Sequence, residues 1–345
     1  MRMKELLLWS FVACLLSACT AEELPGSNEQ PVAPGKEGIF TFNLSTSSSL
    51  SVNTRMHYDL VNDIWVVQLN AVGTAALVPP ARITTITDNK IRVKLKAEQS
   101  KIYFFVNTEK ADLFDPTAEL TSFTTASVEA TSLAGNTDWD SKSYMPMFGV
   151  WGPNVPTTPT ISGEVQLTRT MALVSITVND KTGGKLSVKS MQLKNVPNVM
   201  RMCPLTTGTY PAATGSYLDY SVYSPEYTYY SISRCMPENC RGTGNGRYET
   251  EKIANTVTNG AYATYCEIKG KYNGKIDVTY RFYLGENNTN DYNVRRNTDY
   301  SFNISIMGIN EMDMRVTVET ASFSGSSNTG ITWGDGNSEN VNGTI

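Results

Sequence analysis

Apolar residues recur at every second position in one stretch of this chain after another. Between 38 and 55 the sequence reads GIFTFNLSTSSSLSVNTR. Phe40, Phe42, Leu44, Leu50 and Val52 share one parity, and Ile39, Thr41, Asn43, Ser45, Ser47, Ser49 and Ser51 occupy the other. Such alternation with one apolar face predicts a half-buried β-strand, strongest over Phe40 to Leu44. Asp63 to Asn70 (DIWVVQLN) predicts the next strand, closed by a turn at Gly73. Ile91, Val93 and Leu95 then alternate with Arg92, Lys94 and Lys96, and the segment KIYFFVN (101–107) is apolar on both faces, as a central strand is. The run 164–178 (EVQLTRTMALVSITV) reads as one long strand, followed by a turn at Asp180 to Gly184 and a strand region over 185–196. Further strands are expected at 262–268, 275–284, 299–306 and 312–320. Short helices are expected near 111–114 and 126–133, and a long irregular, tyrosine-rich insertion over 201–250. The chain is therefore all-β, with a division into two units after about residue 182.

Composition agrees with an exported β protein. There are 18 tyrosines among 345 residues, and the net charge is a mild -4 with no basic run, which argues against a nucleic-acid partner. The single histidine, His57, leaves most hydrolytic and metal chemistry without its usual side chain, so an enzyme is not expected.

The first residues form a leader. Arg2 and Lys4 precede a short apolar segment, Leu6 to Ala18, which is too short to span a bilayer. It ends Leu16-Ser17-Ala18-Cys19, which looks like a bacterial lipobox, whose cysteine is acylated before the leader is cut in front of it. Residues 20–36 read as a polar tether. The expected layout is thus a signal peptide over 1–18 and a tether with the N-terminal strand over 19–55. A first β domain follows over 56–182, and a second with a C-terminal tail over 183–345.

Besides Cys19, the chain keeps Cys203, Cys235, Cys240 and Cys266 after the leader is lost. In an exported chain these predict two disulfides, with three pairings open; Cys235–Cys240 closes a tight loop and Cys203–Cys266 is the complement. A zinc site is disfavoured because paired C-x-x-C hooks are missing, and Asp335 to Glu339 lacks the ligand ladder of a calcium loop. No metal or cofactor is expected.

Several stretches together resemble the fimbrillin family of Bacteroidetes lipoproteins, which includes subunits of the major and minor fimbriae (type V pili). They are, in order, the lipobox at Cys19, the N-terminal strand with Arg55, and NDIWVVQLNAVG (62–73). The Pro-Met turn at Tyr144 to Gly149 follows, then VQLTRTMALVSITV (165–178), Met236-Pro237-Glu238-Asn239, and Arg296-Asn297-Thr298-Asp299-Tyr300. The resemblance implies two transthyretin-like β-sandwich domains with Greek-key-type connections. It also implies export as an outer-membrane lipoprotein anchored in lipid through Cys19, cleavage by an arginine-specific protease, and polymerisation with other fimbrial subunits by strand exchange. On that scheme Phe40, Phe42 and Leu44 fill a groove, a cut after Arg55 frees the strand, and the donor comes from a neighbouring subunit. Ala321 to Trp333, with Phe323, Ile331 and Trp333 as apolar knobs, is the donor candidate. The polar tail and the cysteine-bearing insertion point toward an accessory or tip subunit with a ligand on a host or bacterial surface. The alternative is a stand-alone surface binding module of the same fold.

Overall fold

The computed structural model describes residues 31–46, 60–117, 139, 143–156, 160–204, 217–225, 230–309, 313 and 315–319. In the first half, strands β1 (Glu37–Thr46), β2 (Ile64–Asn70), β3 (Ala81–Ile83), β4 (Lys90–Lys96), β5 (Ser100–Val106), β6 (Met147–Asn154) and β7 (Thr160–Arg169) form one sheet. Their order is β3-β2-β5-β6-β7-β1-β4. β6 and β7 pair only at Met147↔Arg169 and Phe148↔Thr168. The sheet turns a corner there, so β3-β2-β5-β6 faces β7-β1-β4 as two layers. Aromatic and polar contacts cross the gap. Phe42 of β1 meets Phe104 of β5, and the Gln68 side chain of β2 donates to the Lys96 carbonyl at 2.7 Å.

The second half comprises β8 (Met171–Asp180), β9 (Leu186–Lys194), β10 (Val196–Pro197), β11 (Tyr217–Leu218), β12 (Tyr230–Pro237), β13 (Asn239–Thr243), β14 (Tyr265–Tyr272), β15 (Ile276–Tyr283), β16 (Asp291–Val294), β17 (Asp299–Ile306) and β18 (Val316–Glu319). It repeats the plan, with a three-stranded layer β12-β8-β17 and a four-stranded layer β18-β15-β14-β9. In both halves the first strand lies in the middle of the three-stranded layer. β1 runs antiparallel to β4 and parallel to β7; β8 runs antiparallel to β12 and parallel to β17. One continuous cluster of buried apolar side chains runs through both halves.

The structure differs from the sequence reading in several places. The run 164–178 is two strands rather than one, because the chain changes sheets at Thr170. Its amide and hydroxyl both bond the Pro146 carbonyl, at 3.0 and 2.9 Å. β7 pairs within the first half and β8 with strands of the second, so the changeover lies ahead of the division expected after residue 182. The expected irregular insertion holds β12 and β13, and β12 pairs with β8 along its whole length. Residues 111–114 are turns and bends rather than helix, while 126–133 lie outside the described residues. Among the described residues no helix is long and apolar enough to cross a membrane.

Candidate functional site

β1 is held on both sides. It pairs with β4 from Glu37↔Lys96 to Asn43↔Lys90, and with β7 at Thr41, Asn43 and Leu44 to Thr46. Period-two geometry sends Phe40, Phe42 and Leu44 inward, where they are 0, 0 and 5% exposed. The Phe42 ring meets the edges of Phe104 (centroids 5.3 Å apart) and Trp151 (5.8 Å). These two aromatic partners carry no signal in the local pattern around β1. Burying three such side chains contributes on the order of 5–9 kcal/mol before entropy costs. If β1 left, it would vacate a slot between two strands, lined by apolar surface and bordered on both sides by unpaired backbone groups.

β1 ends at Thr46 and β2 begins at Ile64, so the link between them spans 47–63 and contains Arg55. Arg55 and His57 lie outside the described residues, as do Cys19 and the donor candidates Phe323, Ile331 and Trp333. The segment 316–319 forms β18 at the edge of the second half, paired with β15. Every other described strand lies after that link, so the backbone joins β1 to them through 47–63.

In the second half, two motif segments far apart in sequence meet. Arg296 lies between β16 and β17, and Glu238 sits where the chain passes from β12 to β13. The Arg296 guanidinium donates to Glu238 (3.3 Å) and to the carbonyls of Met202 (2.8 Å), Arg201 (3.1 Å) and Cys203 (3.2 Å), and its amide donates to Glu238 (3.2 Å). Both side chains are about nine-tenths buried. Asn239 bonds Thr264 (2.8 Å) and the Tyr262 carbonyl (2.9 Å). Asn297 takes a left-handed φ of 53°, which asparagine tolerates well, and its amide bonds the Met171 carbonyl at the start of β8.

The expected disulfides are not formed: Cys203, Cys235, Cys240 and Cys266 are reduced, buried thiols. Cys235 opposes Leu173 in the β12–β8 pair, whereas Cys240 opposes Asn293 in the β13–β16 pair. The chain changes sheets between them, so a short spacing in sequence does not bring the sulfurs together. Burial pushes the thiols of Cys203, Cys240 and Cys266 up to about 12. A folded-state value raised above the ordinary 9.0 adds stability below pH 9, and that stability is lost as pH rises toward 12. Lys252 acts in the opposite sense. Burial lowers its ammonium to about 7, so its contribution grows between pH 7 and 10.5. Three thiols outweigh one amine, and the reduced protein unfolds at lower urea at pH 10 than at pH 8. At pH 8 the native protein leaves all four thiols unreactive to a disulfide reagent, and urea exposes them; rapid native labelling would contradict this burial.

A family described as a domain of unknown function (DUF4906) matches residues 235–304, the stretch containing Glu238, Arg296 and both cysteines of the Pro-Glu-Asn segment. No curated protein matches the sequence. Among solved structures, the tip fimbrial protein Mfa3 of Porphyromonas gingivalis with a C-terminal truncation superposes with a TM-score of 0.52 at 13% identity. The match covers 82% of this chain and 98% of that one. A fimbrilin (FimA) of P. gingivalis W83 gives 0.51 at 12% identity, covering 81% and 95%. The chain has the all-β sandwich fold of these fimbrial proteins, spread over most of its length.

Proposed function

We propose that this protein is a non-enzymatic subunit of a cell-surface fimbria that contributes to adhesion, assembled by exchange of its N-terminal strand. The observation that carries the reading is the position of β1, an inner strand with a fully buried apolar stripe and a single covalent link to the rest of the fold. A cut after Arg55 by an arginine-specific protease leaves β1 held by hydrogen bonds and packing alone. Its return then becomes bimolecular, and the vacated slot accepts a strand from a neighbouring subunit. The same cut releases the domain from a lipid anchor at Cys19, so one event frees and activates the subunit. The shared fold with a tip fimbrial protein and a fimbrilin supports the fimbrial setting and the cell surface as its location. The tail beyond β18, with Phe323, Ile331 and Trp333, remains the donor candidate, and a tip or accessory place in the fimbria fits its polar character.

The test is limited proteolysis of residues 20–345 with an arginine-specific protease, followed by intact mass, size-exclusion chromatography and electron microscopy. The expected result is a cut at Arg55, loss of the fragment carrying β1, and multimers; Arg55→Ala abolishes all three. A cut product that keeps β1 and stays monomeric would instead make the protein a stand-alone binding module.

A further inference from the structure

A cleft of about 540 Å³ opens beside β3 and β4, on the outer face of the first half, away from the buried stripe of β1. It is lined by Thr41, Arg82, Ile83, Thr84, Thr85, Thr87, Asp88, Lys90 and Arg92. Its charge runs against that of the whole chain: three cations and one carboxylate on a protein of net charge -4. Arg82 is oriented from below. Asp63, 3% exposed, accepts from its Nε and Nη2 at 3.1 and 3.0 Å, which fixes the plane of the guanidinium at the cleft wall. Lys90 is set by a tight turn in which Asp88 and Asn89 both have positive φ (53° and 56°) and the Lys90 amide bonds the Thr87 carbonyl. That turn is pinned to β1, because the Leu44 amide donates to the Asn89 carbonyl at 2.8 Å. Lys94 and Lys96, further along β4, are engaged by Glu37 and Glu98. Lys90 and Arg92 have no such acid among the described residues.

The lining also selects the kind of ligand. Four threonine hydroxyls, each able to donate and accept, surround the cations, and Asp88 adds an acceptor. A ligand matching this set carries both hydroxyls and negative charge. Among the described residues no aromatic ring lines the cleft, so a neutral sugar would lack a stacking platform there and the charge must orient the ligand. We infer that the cleft formed by Arg82, Lys90, Arg92 and the threonines of the β3–β4 loop binds an anionic saccharide, a glycan bearing carboxylate or sulfate groups. Charged groups are bound by Lys90 and Arg92, with Arg82 presenting to the ligand the donors that Asp63 does not take, and sugar hydroxyls are bound by the threonines.

The inference is independent of strand exchange and is tested on purified, uncut protein, in which Thr41 is in place. The probe is a heparin-derived tetrasaccharide, measured by calorimetry and by amide chemical shifts. The expected result is saturable binding that weakens with salt and perturbs residues 82–92. Lys90→Gln with Arg92→Gln, both on the exposed face of β4, weakens binding by about 100-fold or more, as loss of two charge-assisted hydrogen bonds should. Thr85→Val weakens it severalfold. Lys269→Gln with Lys271→Gln on β14 leaves it unchanged. Undiminished binding by the β4 double variant overturns the site. So does an absence of binding at millimolar probe. Equal binding of a neutral oligosaccharide overturns the role of charge, and equal binding of inorganic sulfate alone overturns the saccharide assignment.

Discussion

Phe42→Ala lowers the unfolding free energy by about 3–5 kcal/mol. The ring is fully buried and meets Phe104 and Trp151 edge-on, from strands of the facing layer. Truncation removes both its transfer energy and the contacts of two other aromatic side chains, and a strand hydrogen-bonded on both sides has little room to close the void. The consequence reaches beyond stability. In protein cut after Arg55 the same loss falls on a peptide held without a covalent link, so β1 dissociates at least a hundredfold more readily. Urea unfolding of the uncut variant gives the first number, and retention of β1 on size-exclusion chromatography after cleavage gives the second. Ile39→Ala, on the exposed face of the same strand, moves neither by more than about 0.5 kcal/mol. An equal effect of the two substitutions would mean that the stripe is not what holds β1.

Arg296→Ala costs about 3–5 kcal/mol as well, for a different reason. The substitution strips Glu238 of a buried cation, and it takes the same guanidinium away from the carbonyls of Arg201, Met202 and Cys203. Most of that cost is the penalty of a buried charge deprived of its partner. The double variant Glu238→Gln with Arg296→Ala should therefore lose clearly less than the sum of the losses of Glu238→Gln and Arg296→Ala taken singly. A double-mutant cycle by urea unfolding reads the coupling directly. Additive single effects below about 1 kcal/mol would show that the pair is incidental to the second half.

The sequence disclosed whatever depends on alternation within one strand. The inward parity of Phe40, Phe42 and Leu44, the outward Lys90, Arg92 and Lys94 of β4, and the apolar character of β5 were all readable because side-chain direction in a strand has period two. The partner across a sheet was not readable. Neither Glu238 with Arg296 nor Phe42 with Trp151 leaves a mark in a local window, since each pair is created by the order of strands. The changeover at Thr170 was hidden for a related reason. No glycine or proline interrupts 164–178, and the chain passes from one sandwich to the other through a single residue held by Pro146. The disulfide expectation failed at a similar crossing, at Glu238, where closeness in sequence stopped implying closeness of side chains. The Arg82–Asp63 pair that orders the outer cleft joins β3 to the residue just ahead of β2, two elements whose adjacency follows only from their pairing.

The placement of β1 between β4 and β7 also decides how it answers to mechanical load. Tension along its axis meets one ladder in antiparallel register over the first part of the strand and another in parallel register over the second. Both sets of bonds lie across the direction of pull, so they strain together instead of opening one after another as at a peeled edge. Any strand occupying this slot inherits that shear geometry. A joint made there between neighbouring molecules would resist flow along the filament far better than its binding energy alone suggests, while yielding readily to a force that lifts one end out of the layer.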